Sequence, residues 1–379
     1  MLRHELFETY KDKRVLVTGH TGFKGSWLSI WLKELGADVV GYSLSPPTEL
    51  NNFEACNLTR HITHVHGDIR DLQQILNVFK NHQPEIVFHL AAQAIVRDSY
   101  IDPKLTFDTN VGGTVNLLEA ARQIKSVRAF INVTSDKCYE NKEWVWGYRE
   151  NDPVGGRDPY SASKGCCELV FSSYWKSFFS VINHRKIGLA SVRAGNVIGG
   201  GDWANNRLVP DCVRALTAKQ PVVIRNPDAI RPWQHVLEPL GAYLLLCARL
   251  YKYPEKFSGA WNFGPEDSNY LTVGNVVRKF IGLWGLDQGR EISRELSDLH
   301  EAILLKLCCD KAKALLGWKS ILNIDESLQF TAEWYKEFYK DKSGRDSYQI
   351  CKHQIEHYMK KAGECYVKSD QKTIERDKD

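Results

Sequence analysis

The stretch RVLVTGHTGFKG at residues 14–25 decides the fold. Its first five residues, 14–18, are an apolar run with β-branched side chains, which predicts a buried strand. Gly19 permits a tight turn after that strand, Gly22 permits close approach of the backbone to a pyrophosphate, and Gly25 permits close packing of helix on strand. The helix expected next covers 27–35. The pattern therefore predicts a dinucleotide-binding loop between a strand and a helix.

Further strands alternate with amphipathic helices in the first half of the chain. The expected strands are 38–42, 63–68, 86–90 and 129–133. Short β-branched strands that alternate with helices indicate a parallel sheet covered on both faces. The predicted fold class is α/β: a doubly wound, mostly parallel, Rossmann-type sheet with a smaller C-terminal substrate-binding lobe.

The regular alternation ends in the glycine-rich segment that starts at residue 199. We expect a dinucleotide-binding domain over 1–198 with a returning segment near 236–264, a smaller lobe over 199–335 and a charged extension over 336–379. Within this extension, residues 349–361 predict an amphipathic helix, and the last dozen residues a solvated tail.

The composition excludes several classes of protein. A hydrophobic content of 43% over 379 residues suits a globular protein with a large core. The net charge of +4 fits an anionic small molecule and gives little support to a nucleic-acid surface. No apolar stretch is long enough for a membrane span, and residues 1–13 lack the apolar run of a signal peptide. The ten cysteines form no Cys-x-x-Cys pair, so we expect reduced thiols in the cytoplasm.

Tyr160 and Lys164 are the first candidate catalytic residues. Positions i and i+4 of a helix share a face, so the phenol and the ammonium point into the same pocket. A nearby cation favours the phenolate, and we expect it to lower the pKa of Tyr160 from about 10 toward neutrality. Such a tyrosine can take a proton from a substrate hydroxyl while a nicotinamide accepts a hydride.

Together these motifs resemble those of the extended short-chain dehydrogenase/reductase superfamily, over about residues 13–330. The motifs that carry the resemblance are TGHTGFKG at 18–25, GD at 67–68, LAAQ at 90–93, TNV at 109–111, YSASK at 160–164 and RAGN at 193–196. The resemblance implies NAD as the cofactor. It places the dinucleotide against Gly19, Thr21, Gly22, Phe23, Lys24, Gly25, Asp68, Ile69, Ala91, Ala92, Gln93, Asn110, Val133, Tyr160 and Lys164.

Within that superfamily the chain looks most like the nucleotide-sugar 4,6-dehydratases. Reductases and epimerases carry a hydroxyl residue at the position of Ser135, and dehydratases add an acid and a base directly after it. Here these are Asp136 and Lys137, where the dTDP-glucose and GDP-mannose dehydratases have glutamate as the base. This Asp-Lys pair, GHTGFKG at 19–25 and RPWQHV at 231–236 resemble the CDP-glucose-specific group.

The chemistry explains these residue types. Oxidation at C4 of the sugar makes the neighbouring C5 proton removable, so water can then leave across C5 and C6. The resemblance gives Tyr160 and Ser135 the 4-OH, Lys137 or a water it orders the C5 proton, and a protonated Asp136 the departing 6-OH. A lysine acts as a base only if its pKa falls well below about 10.4. The sequence leaves open which group carries the C5 proton.

Cofactor preference is less clearly marked. An NAD site usually has an acid at the end of the second strand, about 20 residues after the loop, but here that strand ends in Ser43. Lys24 could instead meet the 2′-phosphate of NADP. We favour NAD because a cofactor that is reoxidised within each turnover needs no reduced pool, and we expect it to bind weakly.

The second half supplies candidate substrate ligands. By resemblance these are Asn196, Arg207, Arg225, Arg231 and Trp233, with guanidinium groups suited to a nucleotide diphosphate. CDP-glucose is the favoured nucleotide-diphosphate sugar, and the nucleobase rests on resemblance alone. We expect no metal: His64 and His66 alternate along a strand, and no cysteine accompanies them.

Two other functions remain open at this stage. A nucleotide-sugar 4-epimerase or reductase would need only the hydroxyl residue, the tyrosine and the lysine. A catalytically silent NAD(P)-binding regulator would need none of them. We also expect a homodimer, or a tetramer, with the dimer built on the helices near 112–124 and 160–178. Their nominated apolar residues are Leu117, Leu118, Val170, Phe171 and Tyr174.

Overall fold

The computed structural model describes residues 2–180, 187–266, 270–285, 292–294, 304–340 and 347–376. The strands are β1 Arg14–Thr18, β2 Asp38–Ser43, β3 Thr63–His66, β4 Ile86–His89, β5 Ala129–Val133, β6 Gly188–Ala194, β7 Val197–Ile198, β8 Val222–Ile224, β9 Ile230–Pro232, β10 Gln234–His235, β11 Gly259–Phe263, β12 Tyr270–Thr272 and β13 Ile292–Arg294. The α-helices are α1 Leu2–Tyr10, α2 Phe23–Glu34, α3 Asn52–Ala55, α4 Leu72–His82, α5 Val96–Ile101, α6 Pro103–Phe107, α7 Gly113–Gln123, α8 Pro159–Tyr174, α9 Leu208–Thr217, α10 Leu237–Lys252, α11 Pro254–Phe257, α12 Val273–Trp284, α13 Ile324–Lys340 and α14 Ser347–Arg376.

A seven-stranded sheet forms the large part of the molecule. Its strand order is β3-β2-β1-β4-β5-β6-β11, and every pair is parallel. In the middle of the sheet, Val15 of β1 lies opposite Val39 of β2 and Ile86 of β4. All three side chains are buried, as expected for a sheet covered by helices on both faces. The predicted doubly wound α/β fold is confirmed.

A smaller lobe stands at the carboxyl ends of these strands. It contains α9 and α12 and two small sheets that pair β8 with β13 and β9 with β12. Between its parts the chain returns to the large sheet: α10 packs on β5 and β6, and β11 pairs with β6 at the edge. The expected end of the lobe at 335–336 lies inside α13, so no element ends there.

The C-terminal helix α14 packs on α1, α2, α3 and α13. It covers the helix expected at 349–361, and its buried face repeats every three or four residues. That face consists of Tyr348, Cys351, Ile355, Tyr358, Met359 and Ala362. The helix continues to Arg376, so it enters the segment expected as a solvated tail. Residues 377–379 lie outside the described part of the chain.

A buried carboxylate fastens this helix to the rest of the molecule. Glu238, in the first turn of α10, accepts hydrogen bonds from the backbone N–H of Ile321 and Leu322 and from the hydroxyl of Tyr358. Burial raises the pKa of Glu238 to about 7. One side chain thus joins α10, α14 and the segment before α13.

The sequence analysis expected no membrane span and reduced thiols, and the described helices and cysteines bear on both expectations. Among the helices in the described ranges, none is both long and apolar enough to cross a membrane. All ten cysteines lie in described ranges, and they form no disulfide.

Candidate active site

The glycine loop follows β1 and leads into α2. Gly19 has φ +75°, and a Cβ there would lie 2.6 Å from the backbone nitrogen of Ala91. A Cβ on Gly25 would lie 2.1 Å from the carbonyl oxygen of Gly19. Side chains are therefore excluded at both positions, and the backbone of the loop stays open to a ligand. Since α2 begins at Phe23, its first N–H groups and its dipole favour a phosphate at this point.

A cavity of about 1330 Å³ opens at the carboxyl ends of the strands, between the sheet and the lobe. Ligands of open α/β sheets bind at this edge. The predicted residues that line it are Gly19, Thr21, Gly22, Phe23, Lys24, Gly25, Asp68, Ile69, Ala91, Ala92, Gln93, Val133, Ser135, Asp136, Lys137, Tyr160, Lys164, Asn196, Arg207, Arg225, Arg231 and Trp233. One cavity thus brings together the proposed cofactor, catalytic and substrate residues, although they span more than two hundred positions.

Asn110 is the exception, because it lies behind the cavity wall. Its side chain accepts from the backbone N–H of Gln93 at 2.8 Å and donates to the carbonyl of Gln93 at 3.1 Å and to Ser163 Oγ at 2.8 Å. All of its amide groups are engaged in holding the wall against α8. These contacts give Asn110 a supporting position, and its predicted contact with the dinucleotide stays a prediction.

Tyr160 and Lys164 share the buried face of α8, as the spacing predicts. The Lys164 Nζ lies 6.0 Å from the centre of the Tyr160 ring. The expected fall of the tyrosine pKa is wrong: burial raises the pKa of Tyr160 to about 12. A hydrogen bond with Ser135 and the charge of Arg207 act in the lowering direction. Burial also lowers the pKa of Lys164.

The residues after β5 form a short 3₁₀ turn, Asp136–Cys138. Ser135 caps it: its Oγ accepts from the backbone N–H of Lys137 at 3.2 Å and donates to Asp136 Oδ1 at 3.0 Å. Burial raises the pKa of Asp136, which favours the protonated acid expected there. The side chain of Lys137 is exposed at the cavity wall, so it lacks the burial that would favour an uncharged lysine.

Lys24 lines the cavity and interacts electrostatically with the proposed catalytic residues Asp136 and Lys164. Burial lowers the pKa of Lys24 to about 8, with further lowering from Arg207 and Lys164 and an opposite effect from Asp136. Its ammonium is therefore close to the proposed catalytic groups.

At the end of β2, hydroxyl groups occupy the place of the usual acid. Thr21 Oγ1 lies 2.8 Å from Ser43 Oγ and donates to the carbonyl of Leu44. The Asp68 carboxylate is held by Arg70, whose Nε donates to Asp68 Oδ2 at 2.9 Å. That hydrogen bond, with the charge of Arg70, lowers the pKa of Asp68.

The lobe side of the cavity carries the cations nominated for a diphosphate. Arg207 is fixed by Asp202, a buried carboxylate that the sequence reading missed, through a hydrogen bond of 2.9 Å. Trp233 is buried and donates from its ring nitrogen to the carbonyl of Leu271 at 3.1 Å. Arg225 and Arg231 reach the cavity from β8, β9 and their connections. The only sequence signal for Asp202 is a carboxylate five residues before a nominated arginine.

The histidines considered for a metal have other contacts. His64 Nδ1 lies 2.7 Å from Nε2 of the buried His20, and the ring of His61 stacks on Tyr348 at 4.0 Å. Within the described ranges no group of three metal-binding side chains comes together.

Comparison with known proteins gives the family of the chain. The sequence model of the GDP-mannose 4,6 dehydratase family matches residues 16–331. The chain belongs to this family. A curated relative, the CDP-glucose 4,6-dehydratase of Salmonella typhimurium, is 51% identical over 352 residues, which cover 92% of this chain and 97% of the relative. The predicted membership among the nucleotide-sugar dehydratases is thereby confirmed.

Solved structures of the family's neighbours share the fold. The dTDP-glucose 4,6-dehydratase of Streptomyces venezuelae, solved with NAD bound, superposes with a TM-score of 0.74 at 23% identity, over 86% of this chain and 97% of that one. The UDP-glucose 4-epimerase of Thermotoga maritima gives a TM-score of 0.73 at 24% identity, over 86% and 99%. Because a dehydratase and an epimerase superpose equally well, the fold alone does not decide between these two reactions.

Proposed function

We propose that the protein is an NAD-dependent CDP-glucose 4,6-dehydratase, a lyase that forms CDP-4-keto-6-deoxy-D-glucose and water. The observation that carries this proposal is the buried acid Asp136, which lines the same cavity as Tyr160 and Ser135. An epimerase requires the tyrosine and the hydroxyl group but no acid beyond them. The close relative from Salmonella, named for the same reaction, supports the choice of sugar nucleotide.

The residues present fit an NAD molecule. Glycine at positions 19 and 25 allows the loop after β1 to pack closely on Ala91 and on the first turn of α2, and the start of α2 supplies N–H groups for a pyrophosphate. Asp68 and Ile69 line the cavity toward β3, and Ala91, Ala92 and Gln93 line it after β4. When bound, NAD would accept a hydride from C4 of the sugar and return it at C6.

The first proton transfer falls to Tyr160. In the proposed mechanism Tyr160 acts as the phenolate and takes the proton of the sugar 4-OH, and Ser135 hydrogen-bonds the same oxygen. Because burial holds the pKa of Tyr160 near 12, the neighbouring groups that lower it matter for the rate. Among these groups are Ser135, by its hydrogen bond, and Arg207, by its charge. Lys164, on the same helix face, would hold the cofactor ribose.

Elimination of water falls to the 3₁₀ turn. Burial raises the pKa of Asp136, which favours the protonated carboxyl that would give its proton to the departing 6-OH. Lys137, exposed at the wall next to it, would remove the C5 proton directly or through a water. Arg207, Arg225, Arg231 and Asn196 would bind the nucleotide diphosphate, and Trp233 would border it.

We also propose that the protein works in the cytoplasm. The absence of disulfides among the ten cysteines supports a location in the reducing cytoplasm.

We further propose a homodimer through α7 and α8. Of the apolar residues nominated for this surface, Leu117, Leu118 and Phe171 are buried inside the chain itself, because α7 and α8 pack on each other. The outer face instead presents Leu169, 61% exposed, and Phe178, 43% exposed.

The substrate proposal is tested with a panel of CDP-, dTDP-, GDP- and UDP-glucose, with mass detection of the products. We expect the loss of one water from CDP-glucose and much slower reaction of the other three. Preference for another nucleotide would contradict the assignment of the base but leave the dehydratase chemistry standing. A product isomeric with the substrate would contradict dehydration and favour the epimerase.

The division of labour predicts different defects in different variants. Tyr160→Phe should stop the first oxidation, whereas Asp136→Asn and Lys137→Ala should permit it and block elimination. Removal of one general acid or base costs about a hundred- to ten-thousand-fold in rate. In the elimination variants a 4-keto sugar that retains its 6-OH should accumulate. Solvent deuterium should not enter C5 when Lys137 is replaced; exchange at the wild-type rate would show that another group is the base.

The dimer is tested by analytical ultracentrifugation at micromolar concentration, where we expect twice the chain mass. Leu169→Glu should shift the species toward monomer, because it places a charge in the apolar contact. Leu315→Glu is the matched control: Leu315 is 52% exposed but lies far along the chain, outside α7 and α8. A monomeric wild-type protein, or equal dissociation by both variants, would contradict this interface.

A further inference from the structure

A buried ion pair lies directly behind the proposed catalytic residues. Glu168 follows Lys164 by one helical turn, on the same buried face of α8. Its Oε2 accepts from Arg193 Nη2, in β6, at 2.7 Å, and the two side chains are only 4% and 3% exposed. Burial acts to raise the pKa of Glu168, but the charge and hydrogen bonds around it outweigh that effect and hold the pKa below its usual value.

The carboxylate of this pair binds the start of the segment that carries the catalytic turn. Thr134 Oγ1 donates a short hydrogen bond to Glu168 Oε1, and Thr134 is the residue immediately before Ser135. The backbone N–H of Thr134 donates to the carbonyl of Val192 at 3.0 Å. The entrance to the turn is thereby tied both to α8 and to β6.

The guanidinium of the same pair binds the end of the segment. Arg193 Nη1 donates to the hydroxyl oxygen of Tyr139 at 2.6 Å and to the carbonyl of Glu150 at 3.1 Å. The Tyr139 hydroxyl donates in turn to Asn262 Oδ1, in β11, at 2.8 Å. Tyr139 is the residue directly after the 3₁₀ turn, so both ends of residues 134–139 meet one ion pair.

We propose that Glu168 and Arg193 are positioning residues that set the distance between Tyr160 on α8 and the groups Asp136 and Lys137 on the turn. Glu168 is part of α8, the helix that carries Tyr160. Its carboxylate binds Thr134 at the start of the turn, and Arg193 binds Tyr139 at the end of the turn. This inference rests on the proposed function, since it assigns the elimination step to the turn. A misplacement of about 1 Å can cost roughly a hundred-fold in rate.

The outer hydrogen bonds offer a cleaner test than the ion pair itself. Replacement of either charged residue would leave its partner as a buried, unpaired charge and could prevent folding. Thr134 and Ser191 both donate to the Glu168 carboxylate, Ser191 Oγ at 2.8 Å to Oε2. Only Thr134 adjoins the turn, because Ser191 lies within β6. Thr134→Val and Ser191→Ala therefore each remove one hydroxyl donor to the same carboxylate, with different consequences for the turn; Thr134 Oγ1 also lies 3.3 Å from the carbonyl oxygen of Val192.

We expect Thr134→Val to lower kcat for water loss roughly ten- to hundred-fold with KM changed less than about two-fold, because the turn is displaced while the diphosphate ligands are not. Ser191→Ala should stay within about two-fold of wild type, and its melting temperature should match that of Thr134→Val. Thr134→Ser, which keeps the hydroxyl, should restore the rate. Tyr139→Phe, which cuts the other end, should reproduce the Thr134→Val defect.

The decisive readout is the step that fails. In Thr134→Val and Tyr139→Phe, a 4-keto sugar retaining its 6-OH should accumulate relative to the dehydrated product, and C5 deuterium exchange should slow. Equal losses in Thr134→Val and Ser191→Ala, or a loss that follows the folded fraction alone, would overturn the positioning role. If wild type removes no water from any nucleotide sugar, the proposed function fails instead, which distinguishes the two failures.

Discussion

The ion pair between Glu168 and Arg193 is the interaction on which the geometry of this site depends. It joins β6 to α8, the helix that carries the proposed catalytic residues Tyr160 and Lys164. Through Thr134 and Tyr139 it also binds both ends of the 3₁₀ turn. Buried ion pairs are costly to form, and removal of one partner typically destabilises a protein by about 3–5 kcal/mol. Here the hydrogen bonds of the pair with Thr134, Ser191 and Tyr139 reach segments that border the cavity.

Burial has a second consequence, since it shifts the protonation of groups around the cavity in a consistent direction. It raises the pKa of Tyr160 and Asp136 and lowers the pKa of Lys24 and Lys164, so the neutral forms of these four groups are favoured. A neutral aspartic acid suits a general acid. A tyrosine held neutral does not suit a base, so its proton transfer depends on the polar and cationic groups that gather around the bound substrate.

The sequence predicted what local patterns determine. The apolar β-branched runs located the first five strands. The glycine spacing located the loop after β1, in which the fold leaves no room for a Cβ at Gly19. The i, i+4 spacing also placed Tyr160 and Lys164 on one buried face. Most nominated residues reach one cavity because a parallel sheet gathers the carboxyl ends of its strands at one edge.

What the sequence did not predict depends on contacts between distant segments. Asn110 fits a cofactor motif, yet its amide is satisfied by Gln93 and Ser163 behind the wall. Leu117 and Phe171 are apolar at helical spacing, and this pattern does not distinguish a core face from a dimer face. The prediction of a lowered pKa for Tyr160 included the effect of a nearby cation but left out desolvation, which is the larger effect.

The central claim is that the sugar is oxidised at C4 only transiently and regains the same hydride at C6. The most direct measurement uses CDP-glucose with deuterium at C4, incubated with the enzyme in ordinary water and followed by mass spectrometry and NMR of the product. The account predicts a 4-keto-6-deoxy sugar that carries the deuterium at C6. A dehydrated product that has lost the label, or a sugar that keeps the label at C4 without loss of water, would contradict it.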